Sequence, residues 1–150
     1  MGFMDSLNIS ASGMTAERMR MDVIANNIAN ANTTKTAGGG PFRRQQVVLS
    51  AGTSPFGSQL SALMGGNTDD NGTLQGVNVN GIVPDNSPFK QVYDPGNPDA
   101  NASGYVSMPN VDTVTEMVDM MSATRAYEAD VAAVQAVKGM AEQAIAIGKS

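Results

Sequence analysis

Apolar residues recur every seven positions along the first part of the chain. This spacing returns an apolar side chain to the same side of a helix every second turn, which is typical of a coiled-coil stripe. A second apolar line runs beside it, with Arg18 as its polar exception. Since Asp5 or Ser6 can cap the start, the pattern predicts a helix over residues 4–31. The first line holds Leu7, Met14, Met21 and Ile28, and the second holds Met4, Ala11 and Ala25.

The end of the chain carries another helical pattern. Asn110 or Asp112 can cap its start and Gly148 suits its end, which predicts a helix over residues 110–147. The heptad register slips near Arg125, as at a stutter. The apolar positions are Val114, Val118 and Met121, then Val131, Val134, Ala141 and Ile145, with Tyr127 between the two runs.

The middle of the chain, residues 32–109, has a different composition. It contains all seven prolines. Short stretches at 43–50, 76–83 and 88–94 have the character of strands, and the small, polar, Gly-rich segment 51–75 is typical of a flexible loop. The predicted fold is therefore mainly α. Long N- and C-terminal helices form an antiparallel coiled-coil-like pair, with a small β-hairpin or β element and Gly-rich loops in the middle.

These patterns predict two domains, a terminal helical domain of residues 1–34 and 110–150 and a middle β/loop region of residues 35–109. Charge differs between the ends: residues 1–50 carry a balance of +2, and residues 110–150 a balance of −3. Helices of opposite sign attract each other and help to set their register. The alternative is that these charges only solvate exposed faces.

Composition excludes several classes of protein. The chain has neither cysteine nor histidine, so disulfides and thiolate metal sites are absent, together with the commonest general base. The net charge of −5 argues against nucleic-acid binding, and no apolar run is long enough to span a membrane. The start of the chain lacks the pattern of a cleavable signal. We expect no cofactor, no metal and no enzymatic activity.

Two local patterns resemble chemical sites but have simpler interpretations. Residues 67–78 begin like a calcium loop, yet Asn78 stands where a bidentate glutamate belongs. Asp94 and Asp99 could form a carboxylate pair, but Asp-Pro-Gly and Asn-Pro-Asp are common turn formers, so we interpret the segment as a turn.

An unusual density of asparagine marks the end of the first predicted helix. The stretch "VIANNIANANTT" covers residues 23–34, and apolar residues keep helical spacing through it. Amides can both donate and accept hydrogen bonds without the cost of burying a charge. Asn30 and Asn32 suit a local cap, whereas Asn26 and Asn27 suit contacts with another chain of an assembly.

Three stretches carry a resemblance to a known family. "NNIANANTT" at 26–34 resembles the Asn-Asn-Leu-Ala-Asn motif of the flagellar axial proteins, which are the rod, hook and hook–filament junction subunits. Residues 93–134, with "YDPG", "GYV", "MPNV" and "RAYEAD", resemble the proximal rod members of that family, as does "FRRQQVVL" at 42–49. Where many axial proteins continue with Thr-Pro-Gly-Tyr, this chain has Thr-Thr-Lys-Thr.

The resemblance implies a structural subunit of the flagellar basal-body proximal rod. Its terminal helices would line the inner wall of a helical tube that transmits torque and through which axial proteins are exported. It also implies partners: copies of itself, other rod subunits and the flagellar type III export apparatus, which delivers the unfolded chain to the periplasmic rod without signal cleavage. The alternative is a secreted helical adaptor or effector with a disordered middle.

On this interpretation, the subunit-interface candidates come from both predicted helices. They are Leu7, Met14, Met21, Asn26, Asn27, Ile28 and Asn30 in the first helix, and Val118, Met121, Arg125, Tyr127, Val131 and Val134 in the second.

Overall fold

The computed structural model describes residues 3–52 and 76–148. Half of these residues lie in two long helices, which confirms the mainly α fold with small β elements. Most of the predicted loop 51–75, and with it most of the calcium-like stretch, lies outside the described residues. In chain order the elements are α1 (Phe3–Ala29), β1 (Gln45–Ala51), β2 (Val77–Pro84), β3 (Lys90–Tyr93), β4 (Tyr105–Met108) and α2 (Thr113–Ile147).

The four strands form two separate two-stranded sheets. In the first, backbone bonds run from Asp85 N to Arg44 O (2.8 Å) and from Gly52 N to Gly76 O (2.7 Å), so β1 and β2 are antiparallel. In the second, β3 and β4 pair antiparallel, with Tyr93 opposite Tyr105. The strand β4 has no counterpart among the three strands that the sequence predicts.

The end of α1 is set by its asparagines. The Asn30 side chain donates to the backbone oxygen of Asn26 at 3.0 Å and to its side-chain oxygen at 3.2 Å. Two backbone hydrogen bonds that each span only three residues, from Ala31 N to Ile28 O and from Thr33 N to Asn30 O, then end the helix. This agrees with the local capping interpretation of Asn30.

Only one of the two proposed capping residues of α2 acts as a cap. The Asp112 carboxylate accepts from Val114 N at 3.0 Å. The Asn110 side chain instead accepts from Arg44 N at 2.9 Å, outside the helix. At the other end, Gly148 N donates to Ala144 O at 3.1 Å and closes the last turn.

The buried side of α1 differs from the predicted stripe. The first apolar line, Leu7 to Ile28, is only half-buried, and its companions Met4, Ala11 and Ala25 are exposed. The buried side chains of α1 are Ala16, Val23, Ile24 and Asn27. Ala16 and Val23 each follow a residue of the predicted line by two positions, which is a rotation of about 200°, so the buried side is a different side of the helix from the predicted stripe.

The chain divides into two compact units, each of which contains parts of both helices. The hub unit comprises residues 18–48 and 81–125, and holds most of the buried apolar side chains. The second unit comprises residues 1–17, 49–80 and 126–150. Within the second unit, Ser12 Oγ accepts from Val77 N at 3.0 Å, which attaches the start of β2 to α1. Neither helix, over the residues described, combines the length and apolarity of a membrane-crossing segment.

Candidate subunit interface

Asn27 is a buried side chain of α1 that makes three hydrogen bonds. It is 1% exposed. Its Nδ2 donates to Gln45 O at 2.8 Å and to Glu116 Oε2 at 3.0 Å, while its Oδ1 accepts from Gln45 N at 2.9 Å. The amide thus bonds both backbone groups of Gln45, as a neighbouring strand would, and uses its remaining hydrogen on a carboxylate. No other side chain of this size offers that combination of donors and acceptor.

Glu116 lies at the centre of a charged cluster in the first turn of α2. It is 1% exposed, and Arg44 Nε donates to its Oε1 at 2.5 Å. The same guanidinium lies 3.4 Å from Asp119 Oδ2 and 3.7 Å from Asp85 Oδ2. Burial by itself lowers the pKa of Arg44, but the hydrogen bond and charge of Glu116, with the two aspartates, outweigh this and raise it. A buried carboxylate is stable here because it is both paired and hydrogen-bonded.

The strands are held to the same cluster by Asp85 and Asn110. Asn110 accepts from Arg44 N and its Nδ2 donates to Asp85 O at 3.2 Å. The Ser87 hydroxyl and backbone N–H donate to the Asp85 carboxylate, and these bonds, aided by the Arg44 charge, lower the pKa of Asp85. We call Asn27, Arg44, Asp85, Asn110 and Glu116 the polar hub. The polar hub joins the end of α1, the start of β1, the end of β2 and the start of α2.

A second feature of the hub unit is an exposed apolar face on α2. Val114 is 70% exposed, Met117 56%, and Val118 and Met121 55% each. Their spacing of three and four residues places them on one side of the helix. Glu116 and Ala123, the buried residues of α2, lie on the opposite side. We call Val114, Met117, Val118 and Met121 the outer face. An apolar side of a helix that lies opposite the buried residues of its own chain is available to a second partner.

The predicted interface residues fall into three groups by their exposure. Asn26, Val118, Met121 and Arg125 are exposed, and Asn27 is buried. Leu7, Met14, Met21, Ile28, Asn30, Tyr127, Val131 and Val134 are half-buried.

The structure changes the interpretation of Asn27. The sequence predicts that its amide bonds a neighbouring subunit, but its three hydrogen bonds to Gln45 and Glu116 lie within the hub unit. Sequence reasoning also missed the roles of Arg44, Glu116 and Asn110. The sequence pattern carries no signal for Glu116, since its helical neighbours Asp112 and Asp119 are charged as well.

The segment after β3 is a turn, as predicted. Asp94 Oδ1 accepts from Gly96 N at 3.3 Å, and Asn97 Oδ1 accepts from Asp99 N at 3.1 Å. Asp99 Oδ2 also accepts from Thr34 Oγ1 at 2.7 Å. Both aspartates therefore have structural roles in this turn and at its junction with the segment after α1.

Models of known protein families match both ends of the chain. Residues 7–35 match the family model "Flagella basal body rod protein", and residues 102–147 match "Flagellar basal body rod FlgEFG protein C-terminal". The chain is therefore a structural protein of the flagellar basal-body rod class.

Curated relatives narrow the class further, and each is described as "Flagellar basal-body rod protein FlgC". The relative from Bacillus subtilis is 49% identical over 148 residues, covering 96% of this chain and 97% of the relative. The relative from Borreliella burgdorferi is 45% identical, covering 98% of both chains, and that from Escherichia coli O157:H7 is 39% identical, covering 99% and 100%. The chain belongs to the FlgC family of flagellar basal-body rod proteins.

Proposed function

We propose that the subunit assembles, through the outer face of α2, into a helical tube that transmits torque and through which axial proteins pass. Its neighbours in this assembly are copies of itself and other rod subunits. The observation that carries the proposal is the outer face, where four large apolar side chains are each more than half exposed. Exposed apolar patches of this kind mark protein interfaces in soluble chains.

Within the subunit, the terminal helices are proposed to pair antiparallel and to form the inner-wall domain of residues 1–34 and 110–150, with residues 35–109 outside. Contacts within each unit support the pairing. In the hub unit, Asn27 bonds Glu116, and Thr124 Oγ1 lies 3.6 Å from Met21 Sδ. In the second unit, a Cβ on Gly13 would lie 2.6 Å from Asp130 Oδ2, so the two helices approach closely there as well.

The interface is proposed to include the sequence-predicted candidates in two ways. The exposed candidates, Asn26, Val118, Met121 and Arg125, contact neighbouring subunits directly. The half-buried candidates hold α1 and α2 of one subunit together, beside the residues that contact the neighbouring subunits. Asn27 contributes indirectly, because it fixes the end of α1 to the start of α2 through the polar hub.

We further propose that the subunit performs no chemistry and reaches the periplasmic rod through the flagellar type III export apparatus, without signal cleavage. It binds no nucleic acid, in keeping with its net charge of −5. The relatives are described as flagellar basal-body rod proteins, which supports a structural role.

Rod formation in a strain that lacks the natural subunit tests this function. Val118→Asp places a charge in the centre of the outer face, and burying it in an interface costs several kcal/mol. We expect export at the wild-type level but few rods and no motility. Ala126→Asp is the matched control, since Ala126 is exposed on the same helix but is not three, four or seven residues from any member of the outer face. Normal motility of Val118→Asp would contradict assembly through this face.

A further inference from the structure

The outer face ends at an unpaired charge. Arg125 is exposed and lies seven residues after Val118, on the same side of α2. At 1.5 Å per residue, Val118 and Arg125 are separated by about 10 Å along the helix. Among the residues that the structure describes, Arg125 has no ion-pair partner. An apolar patch with an arginine at its end is a frequent composition of protein interfaces.

The exposed side of α1 also has a charged residue and a small apolar residue seven positions apart, but here the charged residue comes first. Asp22 is exposed and lies seven residues before Ala29, which is exposed as well. Ala25, between them, is also exposed. Because alanine side chains are small, this part of α1 has room for the larger side chains of a partner. Within the described part of the chain, Asp22 likewise has no ion-pair partner.

We infer that the outer face of α2 packs antiparallel against the exposed side of α1 of a second copy of this chain. Arg125 then lies beside Asp22 of that copy, Met121 lies at the level of Ala25, and Val118 lies at the level of Ala29. This inference rests on the proposed function and deepens it by naming the partner surface and its register.

A second charge pair fits the same register. Glu128 follows Arg125 along the exposed side of α2, and Arg18 precedes Asp22 along the exposed side of α1. In an antiparallel arrangement Glu128 reaches Arg18 when Arg125 reaches Asp22. A parallel arrangement aligns only one of the two pairs, so the charges select the antiparallel direction.

The partner must be another chain, because α1 of the same chain lies on the other side of α2. Asn27 of α1 bonds Glu116, and Glu116 points away from the outer face. An interface that joins two different surfaces of identical chains is heterologous, and it continues from copy to copy unless the rotation closes it. This is the type of contact that a helical assembly requires.

Disulfide trapping tests the register in assembled rods. The chain has no cysteine of its own, so any disulfide between two copies comes from the introduced cysteines. Two differently tagged copies are expressed together, one with Met121→Cys and one with Ala25→Cys. We expect oxidation of isolated basal bodies to give a dimer that contains both tags. Ala11→Cys, which is exposed on the same side of α1 about 21 Å away, is the control and gives none.

Charge exchange provides a second test that does not depend on cysteine. Arg125→Asp and Asp22→Arg each reduce rod yield about fivefold, and the double variant restores it. Since both side chains are exposed and unpaired in the described structure, we expect all three variants to keep the thermal stability of the isolated chain.

The inference is overturned if neither single variant reduces rod yield, or if the double variant is no better than the singles. It is also overturned if Met121→Cys couples to Ala11→Cys or to a different rod protein instead of Ala25→Cys. These outcomes would not contradict assembly through the outer face. The proposed function fails separately, if Val118→Asp forms normal rods.

Discussion

Replacing Asn27 by alanine should destabilise the hub unit, whereas the same change at Asn26 should not. The two asparagines are adjacent in sequence, and both lie in the last two turns of α1. Asn27 is buried and makes three hydrogen bonds to Gln45 and Glu116. Asn26 is exposed, and its side chain accepts one exposed bond from Asn30.

The expected cost follows from the bonds that are lost. At about 1 kcal/mol net for each hydrogen bond, Asn27→Ala loses about 3 kcal/mol. Alanine has the better helix propensity, which returns up to about 0.7 kcal/mol. We therefore expect the free energy of unfolding to fall by about 2–3 kcal/mol, and the Asn26→Ala control to be neutral or slightly stabilised.

Urea unfolding followed by circular dichroism measures the free energy, and hydrogen exchange at the Gln45 amide reports the bond itself. In Asn27→Ala the exchange of that amide should accelerate at least tenfold more than in Asn26→Ala, since a change of about 1.4 kcal/mol already gives a factor of ten. Asn27→Asp should be worse than Asn27→Ala, because a carboxylate cannot donate and would face Glu116. Equal stability of Asn26→Ala and Asn27→Ala would refute the assignment of Asn27 to the polar hub.

Arg44→Met should cost about 3–5 kcal/mol of unfolding free energy, because it leaves a buried glutamate unpaired. Arg43→Met loses the stacking contact with Phe89, at 4.4 Å to the ring centroid, and the hydrogen bond from Arg43 Nη1 to Asp85 O at 2.9 Å, but it leaves no buried charge unpaired and should cost less. Thermal melts of the two variants compare them directly. The pKa of Asp85 is lowered below 3.8 in the folded chain, so its contribution to stability is present above that pH and is lost as the pH falls through the lowered value. Asp85→Asn should therefore flatten the loss of stability seen in urea titrations between about pH 5 and pH 2, and an unchanged slope would refute this. Deletion within residues 60–70 should leave motility and export normal, since Gly52 N to Gly76 O already closes the ends of the segment and shortening a loop changes its closure entropy little; lost motility at normal export would show that the segment has its own function.

The sequence predicted the two helices and three of the strands because these depend on local patterns. Both helix starts and ends lie within three residues of the predicted ones. The strand β4 is only four residues long, and it exists because it pairs with β3 across a turn. A segment of that length is too short to show an alternating pattern, so its pairing is a property of the folded chain.

The polar hub could not be predicted in detail for a related reason. Arg43 and Arg44 are adjacent and chemically equal in sequence, but Arg44 enters the cluster while Arg43 lies over the ring of Phe89. Asn26 and Asn27 differ in the same way, because consecutive residues of a helix point in directions about 100° apart, and only Asn27 points toward Glu116. Which member of each pair bonds Glu116 is decided by the position of α2. That position depends on contacts between residues that are distant in sequence.

Thiol accessibility of Val118→Cys tests assembly through the outer face most directly. A maleimide reagent should label this cysteine readily in the isolated subunit, because Val118 is 55% exposed. In isolated basal bodies we expect labelling to slow by at least about tenfold, since a packed interface excludes the reagent. Lys90→Cys, exposed at the start of β3, serves as the comparison position in both states. If Val118→Cys reacts in assembled rods as fast as in the free subunit, the outer face is not an interface and the account is contradicted.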